Sequence, residues 1–347
     1  MLKIRALFST LLLTSVLPAM DCAFADEAEG VTKTWAFSEF TTPLYADAPA
    51  SLPYANPDAP KGGKIVLGDF GSFDTLNFHV AKGDWPSSIG LLYDSLMSGT
   101  DDEIDAYYGE LAETVEYPED RSWAIFNLRK EARYHDGTPV TARDFVYSLE
   151  AKKEHGRAMI KTAYESVERA EALDDYRVKF YFNTKGSMKP ITAVAGLSPL
   201  PVSFWKDRDI TKSTLEVPLT SGPYRIKKME PGRYIIYERV KDYWGKDLPM
   251  RKGLNNFDEI QYDYYRDETV MFEAFKAGKI DVRTESSAKR WVTEYDLPQV
   301  EQGKIKLEEF PVEAPTGLFG YFFNVQRDKF KDVNVRKALV WLYDFEA

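Results

Sequence analysis

The sequence predicts an α/β protein, and three observations carry that reading. Runs with period-2 apolar alternation trade places along the chain with runs of helical periodicity. No unit of roughly 20 to 50 residues repeats, which argues against a solenoid. Between Trp123 and Glu150 the chain spells out a complete strand, turn and capped amphipathic helix.

From the start of the chain, Met1 to Ala25 has the build of a secretory signal. Lys3 and Arg5 form the charged start, Leu7 to Met20 the mainly apolar middle, and Ala23-Phe24-Ala25 the small-residue cleavage site. A membrane anchor needs about 18 uninterrupted apolar residues, and Ser9, Thr10, Thr14, Ser15 and Pro18 interrupt this run. Export is expected, and with it removal of Cys22, the only cysteine; Asp21 stands where lipidation would need a small residue. Residues 26–60 read as an irregular wrapping arm, because Pro43, Pro49, Pro53, Pro57 and Pro60 exclude a long helix.

Lys64 to Gly68 reads as a short strand and Gly71 to Asn77 as the loop after it. Gly62-Gly63-Lys64 lacks the Walker spacing of a phosphate loop. After Lys82-Gly83-Asp84-Trp85-Pro86, a helix is expected from near Ser87, with Ile89, Leu92, Tyr93 and Leu96 on one stripe. In the run that follows, Ala124, Phe126 and Leu128 share one face of a strand, and Trp123 and Ile125 make the other apolar until Asn127 and Arg129 end it. His135-Asp136-Gly137 is a turn, since Gly tolerates positive φ and Asp bonds its own backbone; Pro139 fixes the exit. Thr141 and Asp144 form a capping-box pattern ahead of Ala142, Phe145, Val146 and Leu149 at i, i+3, i+4 and i+7. Nothing in this unit is chemically reactive, so its residues specify scaffold.

Residues 151–170 interleave Lys, Glu and Arg, the pattern of a solvated surface helix. Val178, Phe180 and Phe182 alternate with Lys179, Tyr181 and Asn183 as a half-buried strand after the turn Asp174-Asp175. Ser221 to Ile226 and Tyr234 to Val240, joined by Pro231-Gly232, predict a hairpin. Asp267 caps a helix with Met271, Ala274 and Phe275 inward that ends at Gly278, and Lys279 to Arg283 returns as a strand.

Composition narrows the function. The net charge of −10 argues against nucleic acid as a partner, because gripping phosphates needs clustered Lys and Arg. Hydrophobic content of 44% with 14% aromatics supplies packed cores and flat amphipathic walls for a ligand. The length suits about two domains at roughly 150 residues each. His79, His135 and His155 are the only histidines, and His-Glu-x-x-His, Gly-x-Ser-x-Gly and Gly-x-Gly-x-x-Gly motifs are absent. These counts favour neither a catalytic site nor a metal site, nickel included, and no cofactor is expected. A carboxylate pair of glycosidase type has too many candidates among the acidic residues to be chosen.

The Trp123 to Glu150 string closely resembles the signature segment of the family 5 extracellular solute-binding proteins, the peptide-, opine- and nickel-binding subunits of bacterial importers. Ser221-Gly222-Pro223-Tyr224 with Tyr243-Trp244, and Phe272-Glu273-Ala274-Phe275-Lys276-Ala277-Gly278-Lys279-Ile280-Asp281, look like its second and third landmarks. Tyr54 to Gly63, Val240 to Trp244, Asn256-Phe257-Asp258, Tyr262 to Tyr265 and Ala288 to Trp291 look most like the Yej-type subgroup, whose members bind oligopeptides and the peptide-nucleotide antibiotic microcin C.

The resemblance implies a periplasmic binding protein type II-like fold of cluster C: a large first lobe with an inserted subdomain, and the start of a second lobe. It places a signal at 1–25, the first-lobe core at 26–89 and 190–305, an inserted α/β subdomain at 90–189, and the crossover with the start of the second lobe at 306–347. It implies a monomer that captures oligopeptides in the periplasm and delivers them to an inner-membrane ABC permease and its ATPase. Lys82, Gly83, Asp84 and Trp85 match the segment beside the bound peptide's backbone, which pairs with it in strand fashion; Gly83 lets the backbones approach. Phe73 and Asn77 are expected at the base of the cleft, with Tyr224 as a further candidate. Phe322 to Gln326, Phe330 to Leu339 and Asp344-Phe345-Glu346 resemble a segment that family members place a little past their midpoint. The expectation is therefore a C-terminally truncated form with impaired binding. Competing readings are an exported hydrolase of cell-wall peptides or glycans, and an inert gene remnant.

Overall fold

The computed structural model describes residues 30–79, 82–311 and 320–343. The signal-like stretch 1–25, with Cys22, and Asp344-Phe345-Glu346 lie outside the described residues. The chain falls into two compact units, one up to Ala288 and one from Lys289.

In the first unit, a five-stranded sheet runs in the order Val31–Thr34, Ala112–Pro118, Trp123–Leu128, Arg177–Phe182, Val167–Asp174. Every neighbouring pair is antiparallel. Ala124, Phe126 and Leu128 are buried as the alternation requires, and helix Ala142–His155 brings Ala142, Phe145 and Leu149 into the same core. The helix is started by its capping box: the Thr141 amide and hydroxyl donate to one oxygen of Asp144 at 2.9 and 3.0 Å. The other oxygen of Asp144 accepts the Val202 amide at 2.9 Å, so the cap also ties in a distant segment. The preceding turn forms as expected, with the Asp136 carboxylate accepting the Thr138 amide at 2.9 Å.

The second sheet positions the candidate site. The hairpin Tyr224–Glu230 and Tyr234–Arg239 forms around the Pro231-Gly232 turn, and Glu259–Tyr265 adds antiparallel to it. Lys64–Phe70 then pairs parallel with Glu259–Tyr265, from Lys64 opposite Glu259 to Phe70 opposite Tyr265. Beneath it Phe73, Leu76, Ile89, Leu92, Tyr224 and Tyr237 pack as a second core. Asp267 accepts the Thr269 and Val270 amides at 2.8 and 3.0 Å to start helix Glu268–Lys276, which buries Phe272, Ala274 and Phe275 and half-buries Met271.

Four expectations are corrected. The helix from Ser87 is a single 3₁₀ turn, Ile89–Leu92; Tyr93 is already extended, and Leu96 bonds the Leu197 carbonyl instead. Its four stripe residues are nevertheless all buried, so packing rather than helical geometry explains their apolarity. The surface helix over 151–170 stops at His155, resumes as Ala158–Ala163, and gives way to strand Val167–Asp174, whose partner Arg177–Phe182 outweighs local helix propensity. Lys279 to Arg283 contributes only one bridge, Val282 beside Leu67. The arm over 26–60 holds Val31–Thr34 and Ala36–Ser38; the latter joins a three-stranded sheet with Ala106–Gly109 and Met97–Ser98. Val31–Thr34 pairs with Ala112–Pro118 in the five-stranded sheet, which therefore joins residues from both sides of position 89/90.

The second unit holds most of helix Ala288–Thr293 and helices Pro298–Glu301, Asp328–Lys331 and Val333–Trp341. Asp332 caps the last of these through the Asn334 amide at 2.8 Å. Its Val340 and Trp341 are exposed.

Candidate ligand-binding site

Among the residues singled out from sequence, Lys82, Gly83, Asp84 and Trp85 form one run in which Lys82, Asp84 and Trp85 are exposed and Gly83 is half-buried. Asp84 gives both of its backbone groups to the preceding loop. Its amide donates to the Asp74 carboxylate at 2.7 Å, and its carbonyl accepts the Asp74 and Thr75 amides at 2.9 and 3.2 Å. Next to it, the Trp85 amide and carbonyl have no hydrogen-bond partner among the described residues. Successive residues of an extended chain aim their backbone groups to opposite sides, so Asp84 serves the fold and Trp85 offers a free donor and acceptor.

The run is held rigidly. Gly83 has φ +90°, and a Cβ there would stand 2.7 Å from Thr75 Cγ2 and 2.8 Å from Asp74 Oδ1. Glycine is therefore required by the chain's own close approach. The Gly83 carbonyl accepts Arg157 Nη2 at 2.7 Å, and the same guanidinium lies 4.1 Å over the Trp85 ring. The Lys82 carbonyl accepts the Ser213 hydroxyl at 3.3 Å. On the other side, the Ser87 amide donates to the Tyr264 hydroxyl at 2.9 Å and its carbonyl accepts the Tyr237 hydroxyl at 2.7 Å. Trp85 itself remains 39% exposed, a flat apolar surface beside free backbone groups.

Phe73, Asn77 and Tyr224 sit differently from their expected places. All three are buried, at 1%, 2% and 1% exposure. Phe73 packs in the core with its ring 5.4 Å from that of Tyr264. Asn77 Nδ2 donates to the Ile210 and Lys212 carbonyls at 2.8 and 3.2 Å, and the Tyr224 hydroxyl donates to the Phe257 carbonyl at 2.8 Å. Short polar groups inside an apolar core need such partners, and here the partners are backbone carbonyls of other loops.

The sequence landmarks converge on scaffold. His135 Nε2 lies 2.8 Å from the Gly222 carbonyl, and its Nδ1 lies 3.2 Å from the Thr220 hydroxyl. Burial pushes the His135 imidazole below its ordinary value. Gly222 admits the Leu92 backbone, whose carbonyl carbon would be 2.5 Å from a Cβ. The Tyr243 hydroxyl and Trp244 Nε1 donate to the two oxygens of buried Asp94 at 2.6 and 2.8 Å. Nearby Arg251 Nε donates to buried Glu110 at 2.7 Å. Burial, with the Glu110 charge, pushes Asp94 up to about 7.

Sequence reasoning missed Arg157, read as part of a solvated helix, and Asp74 and Asp94. Arg157 and Asp94 act through partners distant in sequence, and Asp74 through the fold-back of its own connection onto Asp84, so no spacing signals them. Among the described residues, no group of three or more His, Cys, Asp or Glu is placed to hold a metal ion. Among them also, no helix is long and apolar enough to cross a membrane.

A family model described as bacterial extracellular solute-binding proteins, family 5 Middle, matches residues 106–347. A probable peptide-binding protein YejA from Agrobacterium fabrum is 42% identical over 302 residues, 84% of this chain and 49% of the relative. A peptidoglycan-binding protein YepA from the same organism is 39% identical, over 100% of this chain and 58% of the relative. Among solved structures, the oligopeptide-binding protein AppA from Bacillus subtilis, in complex with a nonapeptide, superposes with a TM-score of 0.57 at 22% identity, covering 70% of this chain and 47% of the other. Such likenesses give the type II periplasmic binding protein fold, as expected from sequence. The chain spans about half the length of the curated relatives it matches.

Proposed function

Because this chain belongs to the bacterial extracellular solute-binding proteins of family 5, we propose that it is the peptide-capturing subunit of an ABC importer. Its partners are an oligopeptide, an inner-membrane permease and the permease's ATPase. It works as a monomer in the periplasm, reached through the export signal at Met1–Ala25. The relatives named as peptide-binding support this cargo.

One observation carries the reading for this chain: the exposed run at 82–85 offers the Trp85 amide and carbonyl beside an exposed indole, on a backbone fixed by Asp84, Gly83 and Arg157. A peptide laid along it gains main-chain hydrogen bonds that do not depend on its side chains. Trp85 adds an apolar face that suits many residues. Lobe closure over the peptide, favoured by the ligand's higher affinity for the closed form, then presents the complex to the permease. A peptide-nucleotide conjugate such as microcin C would be held by the same backbone contacts.

A second reading concerns the cargo. A relative that matches the whole of this chain is named as peptidoglycan-binding, which favours peptides released from cell wall as one class of ligand. Titration calorimetry with a mixed peptide pool and with cell-wall peptides, followed by mass spectrometry, tests both. Saturable heat with every peptide recovered intact is the expected result. Cleaved peptides would point to the hydrolase instead, and an absence of heat with either pool would contradict the proposal.

A further inference from the structure

A cavity of about 170 Å³ opens between Phe78-His79 and the helices Ala142–His155 and Ala158–Ala163, and its Phe78 ring meets that of Trp85 edge-on at 6.4 Å. Two polar side chains face it, and neither is satisfied. Lys152 is 7% exposed and has no hydrogen-bond or ion-pair partner among the described residues. His79 is 2% exposed, and both of its ring nitrogens lack a partner. The rest of the lining is carbon from Phe78, Met159, Ile160 and Ala163, together with the Tyr164 phenol.

A buried ammonium is costly unless an anion offsets it. Burial pushes the Lys152 amine down to about 8, so it remains charged at neutral pH; burial, then the Lys152 charge, hold His79 well below its ordinary value, so its imidazole is neutral. A neutral imidazole presents one N–H donor and one acceptor. The cavity thus offers a cation and a neutral donor at its polar end, with carbon elsewhere. A water occupies about 30 Å³ of liquid volume, so the space takes several waters or one small organic molecule.

We propose that this cavity is a binding site for a small carboxylate with a short apolar tail, the carboxylate held by Lys152 and His79 and the tail packed against Phe78, Met159, Ile160 and Tyr164. Charge-assisted hydrogen bonds to a desolvated ammonium are the strong kind, and the apolar wall selects against fully polar anions such as phosphate. The site adjoins the 82–85 run through Phe78 and Trp85 but uses different polar groups, Lys152 and His79.

The test uses the unaltered full chain with isobutyrate and its neutral isostere isobutyramide. With three histidines in the sequence, imidazole proton resonances can be assigned through His→Gln variants. Isobutyrate is expected to shift the His79 resonance saturably while those of His135 and His155 stay in place, and isobutyramide to bind roughly tenfold or more weaker. Lys152→Met is expected to abolish the preference for the acid over the amide. Equal binding of acid and amide, or no shift at His79 with either up to tens of millimolar, would overturn the proposal. Because the acid-amide comparison needs no substitution, a variant that fails to fold leaves the conclusion readable.

Discussion

The Tyr243 hydroxyl donates to buried Asp94 at 2.6 Å, joining residues 149 positions apart. Removing that donor leaves one oxygen of a desolvated carboxylate unmet. Tyr243→Phe is therefore expected to lower stability by about 1–3 kcal/mol, read as a lower urea midpoint with an unchanged slope.

The same carboxylate gives a pH dependence. Its folded-state value is raised, from an ordinary 3.8 to about 7, by burial and the Glu110 charge. Between those values the folded chain holds more protons than the unfolded one, so Asp94 makes stability fall as pH rises through the window. Asp94→Asn is expected to flatten the stability curve between about pH 4 and 7 relative to the parent. Parallel curves for the two proteins would contradict this.

Lys152 works in the other direction across a higher window. Burial lowers its amine from 10.5 to about 8, so the unfolded chain holds more protons between those values and stability rises with pH there. Below about pH 8 the full penalty is present, on the order of 3 kcal/mol. Lys152→Met, which keeps the stem and removes the charge, is expected to stabilise the chain at neutral pH by about 1–3 kcal/mol. Its advantage should shrink toward about pH 10, as denaturant titrations at several pH values would reveal.

Asp144 serves three donors, two from Thr141 and one from Val202. Asp144→Ala forfeits both the helix cap and the tie to residue 202 and leaves part-buried amides without their acceptor. A loss of about 2–4 kcal/mol is expected. A thermal melt within a degree of the parent would show that the cap matters little.

At the candidate site, Gly83→Ala must place a Cβ 2.7 Å from Thr75 at φ +90°. It is expected to cost about 1–3 kcal/mol in stability and to weaken peptide binding through the displaced backbone. Trp85→Ala is expected to leave stability within about 1 kcal/mol, the worth of an exposed cation–π contact, yet weaken peptide binding several-fold in calorimetry.

The legible parts of this fold were those whose cause is local. Period-2 burial of Ala124, Phe126 and Leu128, the Thr141–Asp144 cap and the Pro231-Gly232 hairpin each follow from a few adjacent residues. The 3₁₀ turn at Ile89–Leu92 and the strand at Val167–Asp174 were illegible because tertiary pairing decided them. The site divides the same way. Gly83 was recognisable as a position of special backbone, whereas its nearest constraint, Thr75, lies earlier in the same connection and meets it only once that connection folds back on itself. Phe73, Asn77 and Tyr224 were placed at a cleft by resemblance, but aromatic and amide side chains serve cores as readily as ligands, and only burial separates the two uses.

The central claim is that a peptide pairs with the backbone at Trp85. Hydrogen–deuterium exchange of the intact chain, with and without a saturating peptide pool, tests it most directly. The account predicts slowed exchange at the Trp85 amide on adding peptide, with the already bonded Asp84 amide little changed. Peptide binding detected by calorimetry with unaltered exchange across residues 82–88 would contradict it.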